Sequence, residues 1–144
     1  MAKPKTNKLP PDTYGRLEAL GLKWFTASPY PYFIVCFDPQ DEEMVAKLGE
    51  CFPDWNREKE IQQGVAIEYH AADVKLVFVG VRRNQYWRTT IVHEIVHVKN
   101  YIGDTLGIEW DPNNDEPEAY FVGWLFNMME QTFQDLGYGK KSKG

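Results

Sequence analysis

The stretch TTIVHEIVHVKN, residues 89–100, decides how the rest of the chain is read. Its apolar residues belong to a helical stripe, Ile91, Ile95, Val98 and Ile102, in a segment running from about Trp87 to Leu106. His93, His97, Asn100 and Asp104 share that period but, at about 100° per residue, fall on the opposite side. Ordinary core histidines belong on or beside the apolar stripe, whereas these form a polar seam of their own. Two imidazoles one turn apart can hold one tetrahedral ion. Glu94, next to His93, points to the adjoining face, where its carboxylate reaches a water at the ion without binding the ion itself. With so few histidines, HExxH arises by chance in only about one sequence of this size in a few hundred. The spacing predicts a zinc site with His93 and His97 as ligands and Glu94 as general base, although iron, cobalt or nickel suit the same donors.

Two histidines leave a catalytic zinc one protein ligand short. The candidates lie in NNDEPEAYFVGWL, residues 113–125, where Pro117 opens a last helix that closes near Gly137. Glu116 and Glu118 are about 200° apart and cannot both face the site. Glu116 shares its stripe with Ala119, Tyr120 and Gly123, small residues at two of the positions, which let helix backbones approach closely. Glu118 shares its stripe with Val122 and Leu125. Glu116 is therefore the expected third ligand, although either carboxylate also favours the positive end of a helix dipole without any metal.

The pattern resembles a family at this point. HEIVH followed after 18 residues by Glu116, with Ala119 three positions on, is similar to the gluzincin arrangement of zinc metallopeptidases. RTTIVHEIVH, with Arg88 and Thr90 five and three positions before the motif, resembles ImmA/IrrE-type sequences. The DE-x-x-AY segment that follows looks like small HExxH proteins of tailed bacteriophages and prophages. The resemblance covers about residues 87–126 and says nothing of the first half. It implies zinc bound by His93, His97 and Glu116, with Glu94 as general base. Two departures bear on substrate and partner: Asn100 stands where HExxHxxG has a small residue, and YFVGWL replaces the FA..L segment.

A peptidase also needs a donor for the developing oxyanion. Tyr120, on the Glu116 stripe, is the first candidate and His70, at a strand end, the second; packing and simple exposure explain each as well. Asp104 and Asp115 can orient the imidazoles, or merely cap and turn the chain. Trp87, Trp110 and Trp124 flank the motif and are expected to pack in the core rather than line a cleft.

Outward from the motif, YFIVCF (32–37) reads as a buried strand, and Asp38-Pro39 as the start of a helix carrying Met44, Val45 and Leu48. CFPDWNREKEIQQG (51–64) reads as a polar loop. VAIEYH and VKLVFVGV, separated by AAD, suggest an antiparallel hairpin whose second strand, apolar on both faces, lies inside the sheet. Residues 1–11 form an expected flexible leader ending at Asp12, a helix cap for TYGRLEAL; 12–138 form one domain, and 139–144 a basic tail.

The 144 residues suffice for one domain with a real core, 43% hydrophobic and 15% aromatic. A net charge of -5 and pI near 5.2 give no general attraction to nucleic acid. No apolar run is long enough for a membrane span, and no signal peptide is visible, so a cytoplasmic protein is expected, in host cytoplasm if phage-encoded. Cys36 and Cys51 lack CxxC spacing and are expected to be reduced thiols. The expectation is an α+β zincin-like domain, a small, partly antiparallel sheet packed on the HExxH helix and the C-terminal helix. Its expected function is zinc-dependent hydrolysis of a peptide bond in a peptide or protein substrate; the sequence leaves the oligomeric state open. The alternative is a non-catalytic zinc-binding phage structural or interaction module.

Overall fold

Two apolar runs, FIVCF and VKLVFVGV, occupy the middle of the molecule because helices cover them on both faces. The computed structural model describes residues 11–52, 63–71 and 74–140. Its elements are α1 (Pro11–Ala19), β1 (Lys23–Thr26), β2 (Phe33–Phe37), α2 (Glu42–Cys51), β3 (Gly64–Ala71), β4 (Val74–Val81), α3 (Trp87–Leu106) and α4 (Glu116–Asp135). The leader through residue 10, most of the 51–64 loop, the Ala72-Asp73 turn and the last four residues of the tail lie outside the described residues.

The sheet has the order β1-β2-β4-β3. β1 runs antiparallel to β2 and β3 antiparallel to β4, while β2 and β4 are parallel, so the sheet is mixed. The 64–81 hairpin forms as expected, with β4 inside the sheet. One face of the sheet packs on α3 and α4 through Ile34, Val77, Val79, Ile91, Ile95, Leu125 and Met129. The other face packs on α1 and α2 through Val35, Leu76, Phe78, Leu17 and Leu48. This second helical layer explains why β2 and β4 lack a polar face.

Three local readings need correction. The cap of α2 is Asp41, whose side chain accepts from the Met44 N–H at 3.1 Å. Asp38 instead closes a turn onto the Gln40 N–H and faces Arg83 at 3.6 Å. α1 already includes Pro11 and Asp12, Pro being favoured in a first helical turn. β1, missed in the sequence, is a four-residue edge strand whose KWFT carries aromatic and β-branched residues, too short for a period to show.

α3 begins and ends where its apolar stripe predicts, and Ile91, Ile95, Val98 and Ile102 are all buried. Gly107, with φ of 70°, closes it in the left-handed region. α4 lies antiparallel beside it, held by Arg88 to Glu130 at 2.7 Å near one end and by Lys99 to Glu118 at 2.7 Å near the other. Trp87 is buried in the core, while Trp110 stacks on Phe121 and Phe121 on Trp124, so that Trp110 and Trp124, both half-buried, pack against it. Cys36 and Cys51 are both free thiols.

Candidate functional site

α3 crosses the sheet with its histidine seam turned to solvent. His93, His97, Asn100 and Asp104 are all exposed. The rings of His93 and His97 stand 5.2 Å apart, centroid to centroid. With Zn–N of about 2.1 Å in a tetrahedral site, each imidazole centroid lies about 3.3 Å from the ion, and two centroids about 5.3 Å from each other. The centroid spacing of the pair matches that of two imidazoles on one ion.

Glu94 lies on the flank turned toward β3 and is only 3% exposed, with Oε1 4.0 Å from His93 Nε2. β3 approaches this flank closely because residue 64 has no side chain. A Cβ there would lie 2.5 Å from Thr90 Cγ2 and 3.1 Å from Glu94 Oε1. Two adjoining hollows follow the seam, of about 320 and 200 Å³. Gln63, Gly64, Thr89, Thr90, His93 and Glu94 line the first. Val65, Ala66, His97 and Tyr101 join Gly64, His93 and Glu94 around the second.

β3 is an edge strand, and its register fixes which backbone groups face outward. The Arg82 N–H donates to the Gln63 carbonyl at 2.9 Å, just before the Gly64 to Val81 pair. Bonded pairs alternate with unbonded ones in an antiparallel ladder. The main-chain groups of Gly64, Ala66, Glu68 and His70 thus point away from β4, along the wall of the cleft.

The remaining expected site residues are not brought together. Glu116 opens α4 and is exposed. Among the described residues no three His, Cys, Asp or Glu side chains form a group able to hold a metal ion. The antiparallel pins of α4 set its first turn level with the turn of α3 after His97, but Glu116 does not complete the histidine pair. Its stripe of small residues is not the helix contact expected: Ala119 and Gly123 are exposed, and a Cβ on Gly123 would meet nothing within 4 Å. The face toward α3 carries Glu118, which is occupied by Lys99.

Tyr120 is 76% exposed on α4 and lines neither hollow. His70 Nε2 stands 3.1 Å from Glu68 and 3.3 Å from the Tyr32 hydroxyl. Glu68 also accepts from Thr105, which lies two turns beyond His97, a rise of about 12 Å. That distance removes His70 from the histidine pair. Asp104 and Asp115 are exposed, and Asp115 precedes α4 without a side-chain capping bond.

Sequence reasoning missed Tyr101 and Gly64, and singled out Thr90 only as a position of the resemblance to ImmA/IrrE-type sequences. Tyr101 could have been found by extending the histidine period one more turn, since it lies four residues after His97. Gly64 carries no local signal, because its close approach to α3 exists only in the folded chain.

No protein-family model matches the chain. Neither curated proteins nor solved structures give a match.

Proposed function

We propose that this chain is a zincin-like, zinc-dependent peptidase of the gluzincin plan, with the β3 edge as its substrate wall. The observation that carries the reading is Glu94, a buried carboxylate between an exposed, metal-spaced imidazole pair and a peptide-ready strand edge. His93 and His97 would hold the ion, and Glu116, exposed in the first turn of α4, would have to move toward the pair to become the third protein ligand. A bound zinc supplies Lewis acidity to a carbonyl and brings the pKa of water at that position to about 7. Glu94 takes the proton of the attacking water and returns it to the amine nitrogen as the C–N bond breaks. The outward N–H and C=O groups of Gly64, Ala66 and Glu68 hold the substrate extended by main-chain pairing, which orients the bond without demanding a particular side chain.

One observation favours a second reading, a non-catalytic zinc-binding module: His93 is 71% exposed in its side chain, so the pair also suits an ion shared with a partner. Zinc content of protein purified without a histidine tag, together with cleavage of a quenched-fluorescent random peptide mixture, separates the two. The peptidase reading expects bound zinc, cleavage by the native chain, and a Glu94→Gln variant that keeps zinc but cuts nothing. Full cleavage by that variant overturns it. Zinc that stabilises the fold while no peptide is cut favours the second reading, and protein that takes up no zinc ends both.

A further inference from the structure

The roles just proposed leave Tyr101, a polar side chain of the second hollow, without a task. Tyr101 follows His97 by one helical turn, and helical side chains lean toward the helix N-terminus, so its ring reaches back alongside the histidine pair. It lines the same hollow as His93, Glu94 and His97. Its hydroxyl donates to the Ala66 carbonyl at 3.2 Å. By the register of the hairpin, that carbonyl is one of the outward groups of the β3 edge. The phenol therefore occupies one side of an acceptor that a strand pairing along Gly64 to Glu68 would use.

We infer that Tyr101 is a latch on the β3 edge: its hydroxyl holds the Ala66 carbonyl until an extended peptide pairs there, and the displaced phenol then donates to the oxyanion of the bond being cut. The latch stands on the hydrogen bond and the register; the donor role rests on the peptidase reading. Burial raises the phenol above its ordinary pKa, with the Glu68 and Glu94 carboxylates adding to the effect, so the hydroxyl keeps its proton well past neutral pH. The exchange breaks no covalent bond. One weak acceptor contact is given up, and the freed donor lies in the same hollow as the imidazole pair and the general base. Tyr101 thereby takes the part that the sequence alone offered to Tyr120 or His70.

Tyr101→Phe keeps the ring and removes only the hydroxyl. It should leave the Ala66 carbonyl open to the incoming strand, lowering KM about fivefold, the worth of one neutral hydrogen bond. It should also lose an oxyanion donor, lowering kcat about 100-fold. A purely structural tyrosine moves both in the unfavourable direction together with the melting temperature, and that result overturns the proposal. Binding of the same random peptide mixture, measured by fluorescence anisotropy on the Glu94→Gln background, reads the latch without turnover. Tyr101→Phe should tighten it about fivefold. If the native chain cuts nothing but this tightening occurs, the peptidase reading and the donor role fall and the latch stands. Binding that is absent, unchanged or weakened overturns the latch whatever the cleavage assay gives.

Discussion

Gly64 and Thr90 interlock, since a Cβ on residue 64 would lie 2.5 Å from the Thr90 methyl. Gly64→Ala should therefore cost about 1–3 kcal/mol by overpacking. Thr90→Ser removes that methyl while keeping the hydroxyl that bonds the Tyr86 carbonyl at 3.1 Å. The double variant should recover part of the loss in urea denaturation, the 3.1 Å approaches to Glu94 Oε1 and the Gly80 carbonyl remaining. If it does not, the clash lies elsewhere and the account of the β3 approach is wrong.

Removing either histidine should abolish tight zinc binding while changing the stability of metal-free protein by no more than about 0.5 kcal/mol, because both side chains are exposed. Glu116→Ala should weaken zinc at least about tenfold, or about 1.4 kcal/mol, in a competition titration with a chelator. Glu118→Ala should leave zinc affinity alone and instead lower stability, since it strips Lys99 of its carboxylate. The reverse pattern would move the third ligand to Glu118.

Alkaline pH should unfold the protein in a defined window. Burial pushes the Tyr32 phenol up from 10.0 to about 12, with Glu68 adding to the rise and the Thr105 hydrogen bond opposing it. A group whose folded pKa is raised stabilises the fold fully below its unfolded value and loses that contribution as pH climbs to the folded one. Stability should thus be flat below pH 9.0, the ordinary value of the Cys36 thiol that burial also raises, and decline above it, with the Tyr32 contribution lost between 10 and 12. Tyr138, its phenol also raised by burial, extends the decline. Urea midpoints collected from pH 8 upward test this, and Tyr32→Phe should make the slope shallower.

Adjacent positions of α3 should respond oppositely to truncation. Ile95 is 1% exposed and Val96 is 48% exposed. Ile95→Ala should cost about 2–5 kcal/mol, whereas Val96→Ala should stay within about 0.5 kcal/mol. Equal effects would mean that the helix is turned differently on the sheet.

α3 was legible because its apolar residues repeat from Ile91 to Ile102, about three turns, enough for a period to separate from noise. β4 was legible because VKLVFVGV is apolar on both faces, which only an interior strand tolerates. β1 has four residues and no room for a pattern. The cap of α2 misled because Asp38 and Asp41 are equally good caps in isolation, and only Arg83, 45 residues downstream of Asp38, engages the first. At the site, the histidine seam and Glu94 followed from one helix. Glu116 required knowing how two helices roll against each other, and the small residues chosen as a contact face turned outward. Gly64 and Tyr101 matter through contact between a strand and a helix, which no single segment encodes.

The outward placement of His93 and His97 has an evolutionary corollary. Their face carries no packing, so neither ring is held in place by the need to stay folded, and random drift could replace both at no cost to the protein's integrity. Any lineage in which the two rings persist must be keeping them for what they do to something outside the chain.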